Sequence, residues 1–246
     1  MRRKGENNMK KDTKIIGILG GMGPQASARL VEMLIDMSVR DFGAKNGDDF
    51  PEIILDSVPV PEFISDSGKL KLVANMLKDR VRMLSNMNVS NFAIACNTAH
   101  ILLDDLQSVS QVPFISIMDE IARRVSVEGI IKIGLLASPS TIRFGIFEKA
   151  LSKSNVKVIL PTQRQQIVLE KIIKRVISGS KLKSDSSQLS SIASSLGKRG
   201  AQGIILGCTE LPLIFPRKFS VPIFDCLEIL AKAILHKSFG GNKINS

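Results

Sequence analysis

Cys96 and Cys208 each end an apolar, strand-like run and open into a polar turn. Cys96 is followed by Asn97, Thr98, Ala99 and His100, and Cys208 by Thr209 and Glu210. A thiol at a strand-to-helix switch lies near unsatisfied backbone N–H groups and the positive end of a helix dipole, which favour the thiolate. The hydroxyl and amide neighbours supply hydrogen-bond donors for an anionic ligand. Two such thiols on opposite faces of one carbon atom could remove a proton from one side and deliver one from the other. Turnover converts each into the other's state, so the pair could invert a stereocentre beside a carboxylate, with N–H and hydroxyl groups taking up the charge that develops. A single buried cysteine is more commonly an inert packing residue. Cys226, inside the apolar stretch 223–231, reads that way.

The two cysteines occupy matching places in an internal repeat. Residues 14–21 resemble residues 131–138 and pair Gly17 with Gly134; residues 92–98 resemble 204–210 and pair Cys96 with Cys208; residues 112–116 resemble 221–225. The three matches come in the same order. Their spacing shrinks along the chain, so the second copy has shorter loops, a difference that a duplicated fold absorbs at its surface.

Short runs rich in Ile, Leu and Val recur at 15–19, 53–58, 92–95, 113–117, 131–137, 156–160, 203–206 and 221–224. They lack polar alternation, as parallel strands covered on both faces do. Helical patterns fall between them at 26–41, 69–86, 102–109, 142–151, 165–177 and 189–198. The alternation predicts an α/β fold. With the repeat, the expected architecture is two similar doubly wound parallel-sheet domains related by internal pseudo-symmetry, facing each other across a cleft at the strand carboxyl ends. The expected boundaries are 12–116 plus 222–246 for the first domain and 117–221 for the second, with 1–11 as a flexible tail. On this plan the two sulfurs lie on opposite sides of one cleft.

Composition removes several other classes. The 246 residues are 44% hydrophobic, enough to bury a core in one large domain or two small ones. No apolar run approaches the ~18 to 20 residues of a membrane-spanning helix. Basic residues 2–4, the apolar stretch 15–22 and the small residues 26–28 imitate a secretory signal, but the glycine-broken stretch is better explained as a first strand. Three cysteines, an odd number, argue against a disulfide framework and for reduced thiols in a cytoplasmic setting. Two histidines leave little for a His-based metal site. The net charge of +11 could attract nucleic acid, but the chain has no Tyr or Trp for base stacking, and Lys181, Lys183, Lys198 and Arg199 read as a solvated face.

After the first apolar run, Gly21, Gly23 and Ala26 formally satisfy the dinucleotide fingerprint. The ribose-binding acid of that motif falls about 20 residues further on, whereas Asp56 lies 30 residues beyond Ala26. Pro24 suits the first position of a helix. The loop reads instead as a tight turn at the cleft rim that holds a carboxylate rather than a pyrophosphate. His100 reads as a supporting residue and His236 as a surface residue of a terminal helix.

Together, Gly20-Gly-Met-Gly-Pro24, Cys96-Asn-Thr-Ala-His100 and Gly207-Cys-Thr-Glu210 resemble the motifs of the cofactor-independent aspartate/glutamate racemase family, in particular its aspartate racemase branch. The resemblance spans residues 14–235. It implies a pair of Rossmann-like domains and a two-cysteine 1,1-proton transfer at the α-carbon of L- and D-aspartate, or of glutamate, without pyridoxal phosphate or metal. It also implies, often, a homodimer, with a small amino acid as the partner and neither nucleic acid nor membrane. By the same resemblance Cys96 and Cys208 are the acid/base pair and Asn97, Thr98 and Thr209 hold the α-carboxylate. Met22, Gly23, Ser138, Thr141 and Glu210 complete the substrate site. Some aspartate-specific members carry two basic residues that grip the side-chain carboxylate; here Phe63 and Ile167 stand at those places. Arg164 or Arg143 could substitute, or the substrate could be glutamate or a less acidic amino acid. A hydantoin racemase and a binding protein that senses a small carboxylate are the alternatives on the same cleft.

Overall fold

The computed structural model describes residues 14–61, 63 and 67–240, so the tail expected over 1–11 lies outside the described residues. A first parallel sheet contains β1 (Ile16–Gly20), β2 (Ile53–Ser57) and β3 (Asn91–Ile94) in the order β2-β1-β3. A second contains β4 (Lys132–Leu136), β5 (Lys157–Ile159), β6 (Ile204–Leu206) and β7 (Ile223–Asp225) in the order β5-β4-β6-β7. All pairings are parallel. β1, β3 and β6 are buried along their whole length, the reason their sequences carry no polar alternation.

The internal repeat holds at the level of strand register. Gly17 pairs with Phe92 and Gly134 with Ile204. A Cβ on either glycine would run into that partner, at 2.8 Å from Phe92 Cε1 and 2.7 Å from Ile204 Cδ1. Both halves thus use a glycine in the central strand to seat a bulky side chain from its neighbour. The expected strand over 113–117 is reduced to a single bridge between Phe114 and Phe92. Pro113 has no N–H to donate, and Ser116 already caps the next helix by accepting from the Asp119 N–H at 3.2 Å.

The helices are α1 (Pro24–Phe42), α2 (Leu70–Ser85), α3 (Leu103–Gln107), α4 (Ile117–Val127), α5 (Pro139–Arg143), α6 (Ile146–Ser152), α7 (Gln163–Ile177), α8 (Lys183–Lys198) and α9 (Cys226–Ser238). α1 starts on Pro24, whose missing N–H has no partner to lose there. The single helix expected over 142–151 is two, α5 and α6, because Gly145 turns the chain with φ of 59°. Among the described residues no helix is long and apolar enough to cross a membrane.

The domain boundary expected at 222 falls one element early. β7 pairs with β6, and the Ile204 N–H donates to Pro222 O at 2.9 Å, so the strand belongs to the second sheet. The chain returns to the first half only with α9, which packs against α1 and α4. Leu227, Leu230 and Ile234 of α9 share one buried core with Leu30 and Leu34 of α1, Ile121 and Val125 of α4, and residues of β1, β3, β4 and β6. Each such aliphatic side chain contributes about 1.5–3 kcal/mol by burial, which holds the two sheets in a fixed relationship.

Candidate active site

Cys96 lies two residues beyond β3 and Cys208 two residues beyond β6, so the two thiols stand at equivalent strand ends of the two halves. Each is buried, 3% and 6% exposed, and each is backed by its own half's apolar cluster. The thiols are close enough to interact electrostatically: Cys96 raises the pKa of Cys208, and Glu210 raises both.

Burial, helped by the Glu210 charge, pushes the Cys96 thiol up to about 12, against the opposing N–H groups of Ala99 and Thr98. Burial and then Glu210 push Cys208 well above the ordinary thiol range. The stabilisation of thiolate expected from a strand-to-helix switch is therefore outweighed. The turns that follow the cysteines, Thr98–Leu102 and Leu211–Leu213, are short 3₁₀ segments, and desolvation of the sulfur is the larger effect.

Glu210 is 2% exposed. Its Oε2 accepts from the Cys208 thiol at 3.0 Å and from the Thr209 hydroxyl at 3.0 Å. Burial raises its own pKa, and these two donors oppose the rise. Oε1 makes no regular hydrogen bond and faces Gly23, where any Cβ would collide with it. The glycine turn is closed from inside: Gly21, at φ of 88°, donates its N–H to Ser27 Oγ at 3.0 Å, and Ser27 Oγ donates to Gly23 O at 3.0 Å. The carboxylate that this turn faces is thus the protein's own Glu210. Ser27 was not distinguishable in the sequence from any other small helix residue.

A second cluster ties the halves together. Thr98 Oγ1 lies 3.0 Å from Ser138 Oγ and 2.9 Å from Thr141 Oγ1, all three buried, and Ser138 donates to Thr141 at 2.9 Å. Ser138 also caps α5 by accepting from the Thr141 N–H. Asn97 is buried with its side chain against the Cys226 sulfur, whose pKa it lowers, and its Nδ2 has no nitrogen or oxygen partner. His100 is a clamp. Its Nδ1 donates to Cys96 O at 2.9 Å and its Nε2 accepts from the Ile117 N–H at 3.3 Å, with burial lowering its pKa to about 4.

Met22 and Phe63 are buried in the same apolar cluster as Cys96, and Ser140 Oγ donates to Phe63 O at 3.2 Å. Ile167 is 52% exposed on α7, and Arg164 is exposed beside it. Arg143 is exposed, with Nη2 on Ser140 Oγ at 3.3 Å. Gln166, absent from the expected site, donates to Ala137 O at 2.9 Å and leaves a buried Oε1 without a partner. Cys226 is fully buried at the start of α9, as a packing residue would be. Lys181, Lys183, Lys198 and Arg199 are all exposed. Among the described residues no three His, Cys, Asp or Glu side chains gather as a metal ion would require.

This duplicated frame, with a thiol at the same strand end of each half, has counterparts among known proteins. The description Asp/Glu/Hydantoin racemase matches residues 19–234, a span that includes the glycine turn and both thiols. The chain belongs to the Asp/Glu/hydantoin racemase family. This racemase is similar to the broad-specificity amino-acid racemase RacX of Bacillus subtilis, with 26% identity over 220 residues, 89% of this chain and 96% of that one. Among solved structures it is similar to Picrophilus torridus aspartate racemase, with a TM-score of 0.80 and 27% identity over 92% of this chain and 94% of that one. An aspartate racemase homologue from Pyrococcus horikoshii gives 0.76 and 28% over 92% and 99%. The glutamate racemase of Francisella tularensis, at 19% identity and a TM-score of 0.68, shares the fold. The chain is an isomerase, an amino-acid racemase of this family.

Proposed function

We propose that this racemase inverts the α-carbon of a free amino acid by proton transfer between Cys96 and Cys208. The observation that carries the proposal is the placement of two buried thiols at equivalent strand ends of the two halves, with the Glu210 carboxylate raising the pKa of both. The roles differ in the resting enzyme. Backbone N–H groups of Thr98 and Ala99 favour the thiolate at Cys96, whereas the Cys208 thiol is hydrogen-bonded to a carboxylate, so we assign the thiolate to Cys96. Cys208 is kept protonated by Glu210, toward which its S–H already points.

The Cys96 thiolate takes the α-proton, and the electron pair left behind spreads into the substrate carboxylate. The hydroxyl cluster of Thr98, Ser138 and Thr141 supplies the donors we assign to that carboxylate, the Thr209 O–H being given to Glu210 Oε2. The Cys208 thiol then delivers its proton to the opposite face. The product has inverted configuration, Cys96 is now the thiol and Cys208 the thiolate, and proton exchange with water restores the starting state. Both steps use only the two sulfurs as proton carriers.

Aspartate, with glutamate second, is the substrate to which the motif resemblance points, and aspartate racemases stand among the similar structures. RacX, named for broad specificity, widens the class. The test is incubation of the reduced protein with L-amino acids in D₂O. Replacement of the α-proton by deuterium, together with appearance of the D-enantiomer, is the expected result. Saturable binding with no exchange would instead support the sensor reading.

A further inference from the structure

Three consecutive residues at the end of β4 tie that strand to three other elements. Leu136 O accepts at 2.7 Å from the N–H of Gly207, the residue before Cys208. Ala137 O accepts from Gln166 Nε2 of α7 at 2.9 Å, and Ser138 Oγ lies 3.0 Å from Thr98 Oγ1 in the turn after Cys96. All three residues are fully buried. The first half repeats this plan with one difference. Leu19, which matches Leu136 in the repeat, accepts at 2.9 Å from the N–H of Ala95, the residue before Cys96. Gly20, which matches Ala137, accepts from the main-chain N–H of Val58 at 3.1 Å. In the second half β5 stops at Ile159, Pro161 follows without an N–H to extend the ladder, and the Gln166 side chain serves Ala137 O instead.

We infer that Gln166 is a positioning residue for racemisation: by holding Ala137 O it sets the place of the Ser138 hydroxyl, and through it the Thr98 and Thr141 hydroxyls. The inference rests on the two-thiol reading above for the use made of those hydroxyls. Gln166 is well anchored, since its own N–H donates to Thr162 O at 2.8 Å in the first turn of α7, which a Thr162–Gln165 capping box closes. Its amide is not used for stability alone. Oε1 is buried without a partner, a costly arrangement that a purely structural bridge would avoid. The Leu136 end of the segment is fixed by its pairing with Leu206, and a Cβ on Gly207 would meet Ala137 Cβ at 3.0 Å, so nothing yields on that side. Release of Ala137 O therefore displaces Ser138, which passes the shift to Thr98 and Thr141. A misplacement of about 1 Å in groups that orient a substrate costs up to ~100-fold in rate.

The test is a double-mutant cycle on the full reduced chain, reading α-proton exchange in D₂O and D-isomer formation as kcat/KM for the fastest of L-aspartate, L-glutamate and L-methionine. Gln166→Met keeps the length and removes the donor; kcat/KM is expected to fall at least ~10-fold while the thermal midpoint stays near that of wild type. In a Ser138→Ala background, itself slowed, the same substitution is expected to cost under ~2-fold, because the group it positions is gone. Should Gln166→Met fail to fold, Gln166→Asn, one methylene too short to reach Ala137 O, is expected to give the same pattern. Unchanged kcat/KM in the single variants, or equal losses with and without the Ser138 hydroxyl, would overturn this inference while Cys96→Ser and Cys208→Ser remain inactive. Racemisation that survives in either cysteine variant would overturn the two-thiol reading itself, and this inference with it.

Discussion

The Cys208 thiol donates to Oε2 of Glu210 over 3.0 Å, inside a site that water scarcely reaches. A carboxylate so placed makes removal of the Cys208 proton harder, and it raises Cys96 as well. Glu210→Gln keeps the size and removes the charge, so both thiol pKa values fall. On the two-thiol reading, kcat/KM rises with pH as the Cys96 thiolate forms, and in Glu210→Gln that rise should shift to lower pH. A kcat/KM profile of both proteins over pH 6–11 checks this; a rise that stays in place would show that Glu210 does not tune the pair.

Gly23 is required by Glu210 rather than by its own backbone, since its φ of −100° suits any residue. A methyl group there displaces only the tip of the Glu210 side chain. Gly23→Ala should therefore fold with a stability change under about 1 kcal/mol yet lose racemisation through misplacement of the carboxyl. In an Glu210→Ala background the same substitution should have almost no further effect. Additive losses in that double-mutant cycle would mean that the two residues act independently.

His100 gives the fold a pH dependence whose sign is fixed by burial. Its pKa falls from 6.5 in the unfolded chain to about 4 in the native one. Above pH 6.5 the ring is neutral in both states and its contribution is complete. As pH falls from 6.5 to 4 the unfolded chain takes up a proton that the native state refuses, and up to about 3 kcal/mol is lost. Asp225, raised by burial to about 6, works the other way in that range, so the variant comparison isolates the histidine. The urea-derived stability gap between wild type and His100→Gln should narrow between pH 7 and pH 4.5. A constant gap would contradict the clamp.

α7 and α8 are joined by Arg175 and the buried Asp185, whose Oδ2 accepts from Arg175 Nε at 3.1 Å and from the Leu182 N–H at 2.8 Å. Asp185→Ala leaves that N–H unpaired, while the partly exposed Arg175 can still reach water. The expected loss is about 1–2 kcal/mol at neutral pH. Because Arg175 depresses the Asp185 pKa, the stabilisation is present above the usual aspartate range and fades as the solution becomes more acidic than that. Thermal denaturation of wild type and variant at pH 7 and pH 3 measures both.

The duplicated plan was legible because it is written in local patterns: Gly17 with Gly134, Cys96 with Cys208, and strands without polar alternation. The fourth strand position was not, since one bridge at Phe114 and a full strand at Ile223–Asp225 come from nearly the same words, Val-Pro followed by two apolar residues. What separates them is tertiary packing. The same holds for the thiols: their local sequence favours thiolate, and only the apolar clusters assembled around them reverse the direction. Ser27 closing the glycine turn and Gln166 reaching Ala137 depend on contacts between separate elements, which no spacing rule contains. Ile167 illustrates the converse, a position singled out by comparison that faces solvent, while Phe63, singled out with it, is buried in the apolar cluster that backs Cys96.

The most direct test replaces one sulfur at a time. Racemisation of the best substrate, followed by chiral separation and α-deuterium content, should fall at least ~100-fold in Cys96→Ser and equally in Cys208→Ser, while Cys226→Ser stays near wild type. Near-wild-type inversion after loss of either Cys96 or Cys208 would contradict the paired-thiol account.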